Sequence, residues 1–320
     1  ALCAVLASGL YCLIVLGFGV RTFAFAHAIG FISSVLFLVP GFPLVAALLD
    51  LTQHQTTAGI TRLFYGVLLT LSAACGGTTT VIPFACQFKG QSLQAAVDDY
   101  HRRAEGKAVI DYAFHLIITD PTPQALGQDL PALIRDGYTS FKIYMTYDAM
   151  KVSDYQILDI LALARKEGAL VMVHAENHDM IQWLAHHLIE QGHGAPKFHA
   201  IAHARVAEAE ATNRAISLAR LVDAPMLIVH MSEIEAIETL RQAQKKGLKI
   251  FGETCPQYIA LTADDMDKPG VEGAMWCCSP PPRDAANQEV IWQGLATGVF
   301  EAGGPARDAG YWWGVALCLA

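Results

Sequence analysis

The fold is decided by the stretch Ala169-Leu170-Val171-Met172-Val173-His174, a short apolar run that ends on a histidine. Two similar runs occupy residues 139–145, which contain Lys142, and residues 225–230, which end on His230. Each run is rich in large apolar residues and precedes a longer amphipathic segment, a pattern typical of a buried parallel strand that leads into a helix. The alternation predicts an α/β barrel whose active site lies at the carboxyl ends of the strands, where Lys142, His174 and His230 are expected.

Composition limits the classes of partner. The chain has 320 residues and a formal net charge of -8, so no basic surface is available for nucleic acid and a small polar or neutral substrate is favoured. Its length suits one barrel-sized domain or two smaller ones. The eight cysteines form no CxxC pair. We interpret them as reduced thiols of a cytoplasmic protein.

Charge distinguishes the start of the chain from the rest. Residues 1–70 contain only three formal charges, Arg21, Asp50 and Arg62. Residues 1–20 and 22–49 contain none, and each stretch is long enough to span a bilayer, although basic and aromatic flanks that would set an orientation are missing. We therefore separate an atypical apolar segment 1–70, misread or membrane-like, from a barrel domain 71–301. An atypical tail follows at 302–320, because Gly303-Gly304-Pro305 and Tyr311-Trp312-Trp313 match no barrel unit.

Local signals place the helices and strands between residues 92 and 296. Ser153 is expected to cap a helix that ends at Gly168. Six histidines between positions 178 and 203 resemble a metal cluster, but their spacing favours solvated helix faces. Helices are predicted at 92–104, 123–135, 153–167, 206–221, 233–246 and 287–296, and further strands at 108–118 and 249–253.

A lysine among candidate metal ligands needs a chemical explanation. The ammonium of Lys142 has no free lone pair, so the unmodified side chain is a poor ligand. Reaction with carbon dioxide would convert it to a carbamate, a carboxylate on a long stem that can bridge two metals. That reaction requires a buried, partly desolvated amine, which the strand Ser140-Phe141-Lys142-Ile143-Tyr144 would provide.

Five motifs resemble the dihydropyrimidinase and hydantoinase family of cyclic amidohydrolases. They cover the chain from about residue 72 to residue 301 and follow one another in the family's order. The motifs are Phe141-Lys142-Ile143-Tyr144-Met145-Thr146-Tyr147, Val171-Met172-Val173-His174-Ala175-Glu176-Asn177, Ile228-Val229-His230, Gly252-Glu253-Thr254-Cys255-Pro256-Gln257-Tyr258 and Cys278-Ser279-Pro280-Pro281-Pro282-Arg283.

The resemblance implies a TIM barrel with two divalent metal ions, usually zinc. Lys142 would be the bridging carbamate, and His174 and His230 would be imidazole ligands. Tyr147 would donate to the oxyanion of the tetrahedral intermediate, and the backbone of Ser279 would hold the ring amide of the substrate. The implied reaction is metal-assisted hydrolysis of a dihydropyrimidine or hydantoin to an N-carbamoyl amino acid, carried out by a homotetramer.

Two parts of the family pattern are missing. The first-strand HxH pair is expected before residue 76, where only His54 is near the right position and Thr52 replaces its partner. An Asp-His pair is expected soon after residue 301, but Asp308 comes two residues late and is not assigned. A reading-frame error or truncation at each end would explain both departures. The barrel is therefore expected to be incomplete at both ends, poorly soluble and weak in metal retention.

Other functions fit parts of the sequence. A non-catalytic homologue of the same fold would explain the missing ligands, although Lys142, His174, His230 and Tyr147 are all present. A membrane-anchored protein would use residues 1–49. A cysteine hydrolase based on Cys255 is disfavoured, because its strand-and-turn setting offers no helix N-terminus to lower the pKa of the thiol.

Overall fold

The computed structural model describes residues 80–108, 110–270 and 272–300, which divide between two units. The described residues of the first unit are 80–83, 98–108 and 110–114. In it, β1 (Thr80–Val81) pairs in parallel with β3 (Asp111–Tyr112). Aromatic rings pack beside this pair, with the Phe114 ring centroid 5.5 Å from Tyr112 and 5.7 Å from Tyr100.

A six-stranded parallel sheet forms the centre of the second unit, which includes the described residues of 84–97 and 115–300. Its strands follow one another in chain order, and helices occupy most of the connections. This succession of parallel strands and helices is the arrangement of an α/β barrel. The strands are β2 (Phe84–Cys86), β4 (His115–Ile117), β5 (Ser140–Tyr144), β6 (Leu170–His174), β7 (Met226–Ile228) and β8 (Ile250–Gly252).

Alternation along the central strands separates the helix-covered core from the site. Phe141 and Ile143 of β5 and Val171 and Val173 of β6 are fully buried. Because successive side chains point to opposite faces of a strand, Lys142 and Tyr144 lie on the other face of β5 from these residues. The strand thus supplies apolar packing on one face and candidate functional groups on the other.

Helices follow the strands with well-formed ends. The helix after β5 starts with a capping box between Ser153 and Gln156 and ends at Gly168 in the left-handed conformation, as its sequence predicted. The α-helices are α1 (Leu93–Ala104), α2 (Leu130–Arg135), α3 (Asp154–Glu167), α4 (His178–Glu190), α5 (Phe198–Ala202), α6 (Arg205–Val222), α7 (Ile234–Lys245), α8 (Gln257–Ala260) and α9 (Ala285–Thr297).

Two elements differ from the sequence prediction. The strand expected over 108–118 is two short strands, because Asp111–Tyr112 pairs with β1 and His115–Ile117 pairs with β2. The helix expected over 123–135 begins with a π-helical turn, Ala125–Asp129, before α2. Pro131, near the start of α2, has no N–H to donate to an α-helical bond, which accompanies this irregular start.

Two of the segments distinguished by the sequence fall outside this description. Residues 1–70 and 302–320 belong to the stretches whose structure is not described, as do Thr52, His54 and Asp308. Within the described ranges, none of the helices has both the length and the hydropathy that a bilayer span requires.

Candidate active site

Three adjacent strands bring the predicted metal ligands to one region of the second unit. His174 is the last residue of β6, and His230 follows β7 by two residues. Lys142 was expected at a strand end but is the third of five residues in β5, opposite Met172, while Tyr144 is opposite His174. The backbone of Lys142 therefore lies two residues before the end of β5, below the rim formed by the carboxyl ends of the strands. Its long side chain would have to extend toward that rim to reach the imidazoles.

The two histidines form a close, buried pair. The ring centroids of His174 and His230 lie 4.5 Å apart. Burial lowers the pKa of both imidazoles; at His174 it outweighs Glu176, which raises the pKa, and at His230 the neighbouring His174 lowers the pKa further. Neutral imidazoles keep a lone pair for a metal. Nδ1 of His230 is buried and has no hydrogen-bond partner among the described residues, so this ring leaves one nitrogen for a ligand from outside that set.

Lys142 occupies the setting that its proposed modification requires. The residue is only 3% exposed. Its Nζ lies 4.8 Å from the ring centroid of Phe84 and 4.9 Å from that of Tyr144. Tyr144 in turn stacks on His174 at 5.3 Å between ring centroids. The amine is thus held in a partly aromatic, water-poor environment next to the histidine pair.

Glu176 connects His174 to a more distant part of the chain. Its carboxylate lies 2.7 Å from Nε2 of His174 and 2.8 Å from Nδ1 of His203. Burial alone would raise the pKa of Glu176, but the two histidine hydrogen bonds outweigh burial and hold the pKa below its usual range. A hydrogen bond at Nε2 of His174 leaves Nδ1 as the nitrogen with a lone pair for a metal.

The prediction that the histidines of residues 178–203 are solvated is wrong for two of them. His203 is buried against Glu176, and His178 is buried with Nε2 3.2 Å from Oδ1 of Asp148. His186, His187 and His193 are exposed, as expected. Local helical spacing describes the exposed face of α4, but it cannot show that His203, which follows the short helix α5, contacts Glu176.

Tyr147 and Ser279 meet beside the histidine pair. The Tyr147 ring centroid is 5.2 Å from that of His174, and the side chain of Ser279 lies close enough to lower the pKa of the Tyr147 hydroxyl, against the larger effect of burial. Burial raises the pKa of Tyr147 to about 12, so its hydroxyl keeps its proton at neutral pH. The Tyr147 backbone has a φ of 70°, a left-handed conformation that is uncommon for a residue other than glycine.

A second buried network supports the loop that carries Ser279. Arg283 donates to Oε2 of Glu208 at 2.9 Å, to Oγ of Ser232 at 3.1 Å and to the carbonyl oxygen of His203 at 2.6 Å. Ser232 also donates to Glu208, through its backbone N–H at 2.7 Å and its hydroxyl at 2.6 Å. Arg283 was identified from sequence only as part of a motif, and no partner was predicted for Arg283 or Glu208.

The described residues provide part of a metal-ligand set. Within them, no group of three or more His, Cys, Asp or Glu residues is arranged to hold a metal ion. The neutral imidazole pair, with the unpartnered Nδ1 of His230, nevertheless fits a divalent cation, and the buried Lys142 would add a ligand only as a carbamate. The other ligands implied by the sequence fall outside the described residues, so His54 and Asp308 remain untested.

Curated proteins match most of this chain. A D-hydantoinase of Geobacillus stearothermophilus is 44% identical over 234 residues, which cover 72% of this chain and 50% of that protein. A D-phenylhydantoinase of Escherichia coli K12 is 36% identical over 239 residues, with the same coverage. The chain spans about half the length of the curated relatives it matches.

Solved structures of hydantoinases and dihydropyrimidinases match the fold of this chain. A D-hydantoinase structure matches with a TM-score of 0.70 and 42% identity over 72% of this chain and 50% of that one. Dihydropyrimidinase from Brevibacillus agri NCHU1002 matches with a TM-score of 0.69 and 40% identity over 70% of this chain and 49% of that one. These neighbours confirm the predicted fold class, a TIM barrel of the amidohydrolase type that this chain covers in part.

A different family matches the start of the chain. Residues 1–84 match the family model described as a putative threonine/serine exporter. This match includes the whole charge-poor segment that the sequence distinguished. It also extends past residue 80, where the described residues begin.

Proposed function

Because the barrel part of this chain belongs to the hydantoinase and dihydropyrimidinase family, we propose that it hydrolyses the cyclic amide bond of a dihydropyrimidine or hydantoin ring. The substrate would be a small, uncharged cyclic ureide. In the reaction, the oxygen of water bonds to the ring carbonyl carbon and the carbon–nitrogen bond breaks. The nitrogen keeps the bonding electron pair and takes up a proton, which gives an N-carbamoyl amino acid.

Lys142, His174 and His230 would hold two divalent metal ions, with zinc the best fit to imidazole ligands. When bound, such ions lower the pKa of water and polarise a carbonyl group. Lys142 would contribute as a carbamate formed with carbon dioxide, and its buried position beside Phe84 and Tyr144 supports that modification. Glu176 would orient His174 through Nε2.

Tyr147 and Ser279 would bind the reacting part of the ring. A tyrosine that keeps its proton can donate a hydrogen bond to the carbonyl oxygen as negative charge develops there. The backbone of Ser279 would hold the ring amide, which fixes the orientation of the carbonyl carbon relative to Tyr147. The 5.2 Å distance between the ring centroids of Tyr147 and His174 supports this role for Tyr147.

The observation that carries the proposal is the convergence of Lys142, His174, His230 and Tyr147 from three βα connections on one buried cluster. The test measures ring opening of dihydrouracil and hydantoin with and without added zinc, for the wild type, Lys142→Ala and the exposed control Lys166→Ala. We expect zinc-dependent hydrolysis that only Lys142→Ala abolishes. Native mass spectrometry should show the mass of one carbon dioxide on the wild type and on Lys166→Ala, but not on Lys142→Ala.

The same measurements address the non-catalytic alternative. A wild type that binds no zinc and opens neither ring would contradict the proposed hydrolase and favour an inactive homologue. Equal activity of the wild type and Lys142→Ala would contradict the assigned role of the lysine. The homotetramer implied by the resemblance is a separate proposal, which light scattering of the purified protein tests.

A second function is favoured for residues 1–84 by their exporter match. We propose that this segment attaches the chain to a membrane, since residues 1–20 and 22–49 carry no charge and are each long enough to span a bilayer. A match to a protein family also supports a genuine coding segment over a misread frame. Fractionation of cells that express the full chain tests this: recovery only in the detergent-free soluble fraction would contradict membrane attachment and support the cytoplasmic location.

A further inference from the structure

His203 is a buried histidine outside the strands that carry the candidate metal ligands. It directly follows α5, and its backbone is held on both sides. Its N–H donates to the carbonyl oxygen of His199 at 3.0 Å, and its carbonyl oxygen accepts from Nη1 of Arg283 at 2.6 Å. Its imidazole also packs on the ring of His199, with 4.3 Å between the ring centroids. The position of the His203 ring is therefore set by contacts other than the one that it makes with Glu176.

Glu176 divides its two carboxylate oxygens between two imidazoles. Oε2 lies 2.7 Å from Nε2 of His174, and Oε1 lies 2.8 Å from Nδ1 of His203. An ionised carboxylate can only accept hydrogen bonds, so each of these two nitrogens carries a hydrogen. Glu176 is 0% exposed, and among the described residues these two rings are the hydrogen-bond donors to its side chain. Each oxygen of the carboxylate is thus held by one histidine.

We infer that His203 is a positioning residue for His174: it fixes the orientation of the Glu176 carboxylate, which keeps the hydrogen of His174 on Nε2 and leaves Nδ1 free for a metal. The inference rests on the proposed function, in which His174 is a metal ligand. The terminal torsion of a glutamate is broad, so a carboxylate bound through one oxygen can still turn. Without the donor at position 203, Oε1 would be a buried, charged oxygen with no partner, which is costly. The carboxylate would then turn toward another donor, and its bond to His174 would lose its fixed direction.

Two replacements at position 203 separate the donor from the bulk of the side chain. His203→Asn keeps an N–H near the position of Nδ1, whereas His203→Leu fills similar space without a donor. Loss of the direct partner of a metal-ligating histidine typically weakens affinity about 10–100-fold, and His203 acts one hydrogen bond further away. We therefore expect His203→Leu to weaken zinc binding about 3–10-fold and His203→Asn to stay within about twofold of the wild type. Competition with a chelator measures these affinities, with the exposed His186→Leu as control.

A double-mutant cycle with Glu176→Gln shows whether His203 acts through the carboxylate. In the Glu176→Gln background, His203→Leu should weaken zinc binding by less than about twofold more. Additive losses, or equal losses for His203→Leu and His203→Asn, would overturn the inference. Thermal unfolding of each variant separates these outcomes from a folding defect, because a purely structural role would lower stability without this difference in affinity between the two replacements.

A readout without metal or turnover separates this inference from the proposed function. In zinc-free, ¹⁵N-histidine-labelled protein, NMR reports which nitrogen of His174 carries the hydrogen, with the signal assigned by its absence from His174→Gln. The wild type and His203→Asn should show the hydrogen on Nε2, whereas His203→Leu should show a mixture of tautomers or faster exchange of that hydrogen with water. Identical His174 signals in the wild type and His203→Leu would overturn the inference even in an active enzyme. The expected signals in a protein that binds no zinc and opens neither ring would instead contradict the proposed function, while the positioning of His174 by His203 stands.

Discussion

Two buried carboxylates in the second unit make opposite kinds of contact. Glu208 pairs with Arg283, a permanently charged group, at 2.9 Å. Glu176 lies between the imidazoles of His174 and His203 at 2.7 and 2.8 Å. A carboxylate fixed to arginine stabilises a loop position, whereas a carboxylate fixed to a histidine leaves the other ring nitrogen available as a ligand. Burial of an acid therefore does not by itself indicate catalysis; the partner decides its role.

His203 joins the two networks. Its side chain contacts Glu176, and its carbonyl oxygen accepts from Nη1 of Arg283 at 2.6 Å. The segment after β6, the start of α6 and the loop at residues 278–283 are thus held by consecutive buried hydrogen bonds. This connection lets a change at Arg283 alter the packing around Glu176, and the variants below separate the two networks.

The largest expected effect is on stability, from Arg283→Met. The variant leaves the buried Glu208 carboxylate without its arginine, and breaking a buried pair typically costs about 3–5 kcal/mol. Urea unfolding, followed by circular dichroism, should show a free energy of unfolding lower by that amount. Removing both charges in Arg283→Met with Glu208→Leu should recover much of the loss. A single variant as stable as the wild type would show that the Glu208 network does not support the fold.

The next effect is on metal binding, from Glu176→Gln. An amide at this position presents one oxygen, so the hydrogen bonds to His174 and His203 cannot both be kept in their present form. Loss of such a partner of a metal-ligating histidine typically weakens affinity about 10–100-fold. Competition with a chelator measures the zinc affinity, with the exposed Glu190→Gln as control. Unchanged affinity in Glu176→Gln, beside a clear loss in His174→Ala, would show that the imidazole needs no carboxylate.

The candidate ligands His174 and His230 could be predicted from the sequence, but the contacts of the two buried carboxylates could not. His174 and His230 were selected as candidate ligands because they close apolar runs, and such runs are local patterns. Glu176 follows His174 by two residues, a spacing that was visible in its motif without showing a role. His203 and Glu208 come from α5, α6 and the residues between them, and their contacts depend on how these helices pack. Hydrophobic periodicity along the sequence predicts single helices and strands, but not how two helices pack against each other.

The strand and helix boundaries show the same limit. The capping box at Ser153 and the glycine at position 168 are local signals, and the helix they enclose was predicted to within one residue. The level of Lys142 in β5 depends on register with β6, which is set by pairing between strands. Its place below the rim was therefore not available from the motif alone.

A smaller effect is expected from Glu233, which caps α7 and lies near Glu208. Burial, followed by the charge of Glu208, raises the pKa of Glu233 to about 7. The folded state then binds a proton at Glu233 more tightly than the unfolded state does. The contribution of this proton to the free energy of unfolding is therefore complete below pH 4.5 and is lost as the pH rises through 7. Between pH 5 and pH 8 the free energy of unfolding should fall by about 1–2 kcal/mol more in the wild type than in Glu233→Gln. Parallel profiles for the two proteins would contradict this.

The smallest effect is expected from the ion pair next to Arg283 in sequence. Arg205 contacts Asp284 at 2.6 Å, and their side chains are 40% and 58% exposed. Hydrogen bonding by Arg205 lowers the pKa of Asp284, yet solvent screens such a pair, and exposed ion pairs typically contribute about 0–1 kcal/mol. Urea unfolding of Arg205→Met should therefore differ little from the wild type, and less still in high salt. Asp284 directly follows Arg283 in the chain, so the two ion pairs differ mainly in burial. If Arg205→Met lowered the free energy of unfolding as much as Arg283→Met, burial would not explain the difference expected between the pairs.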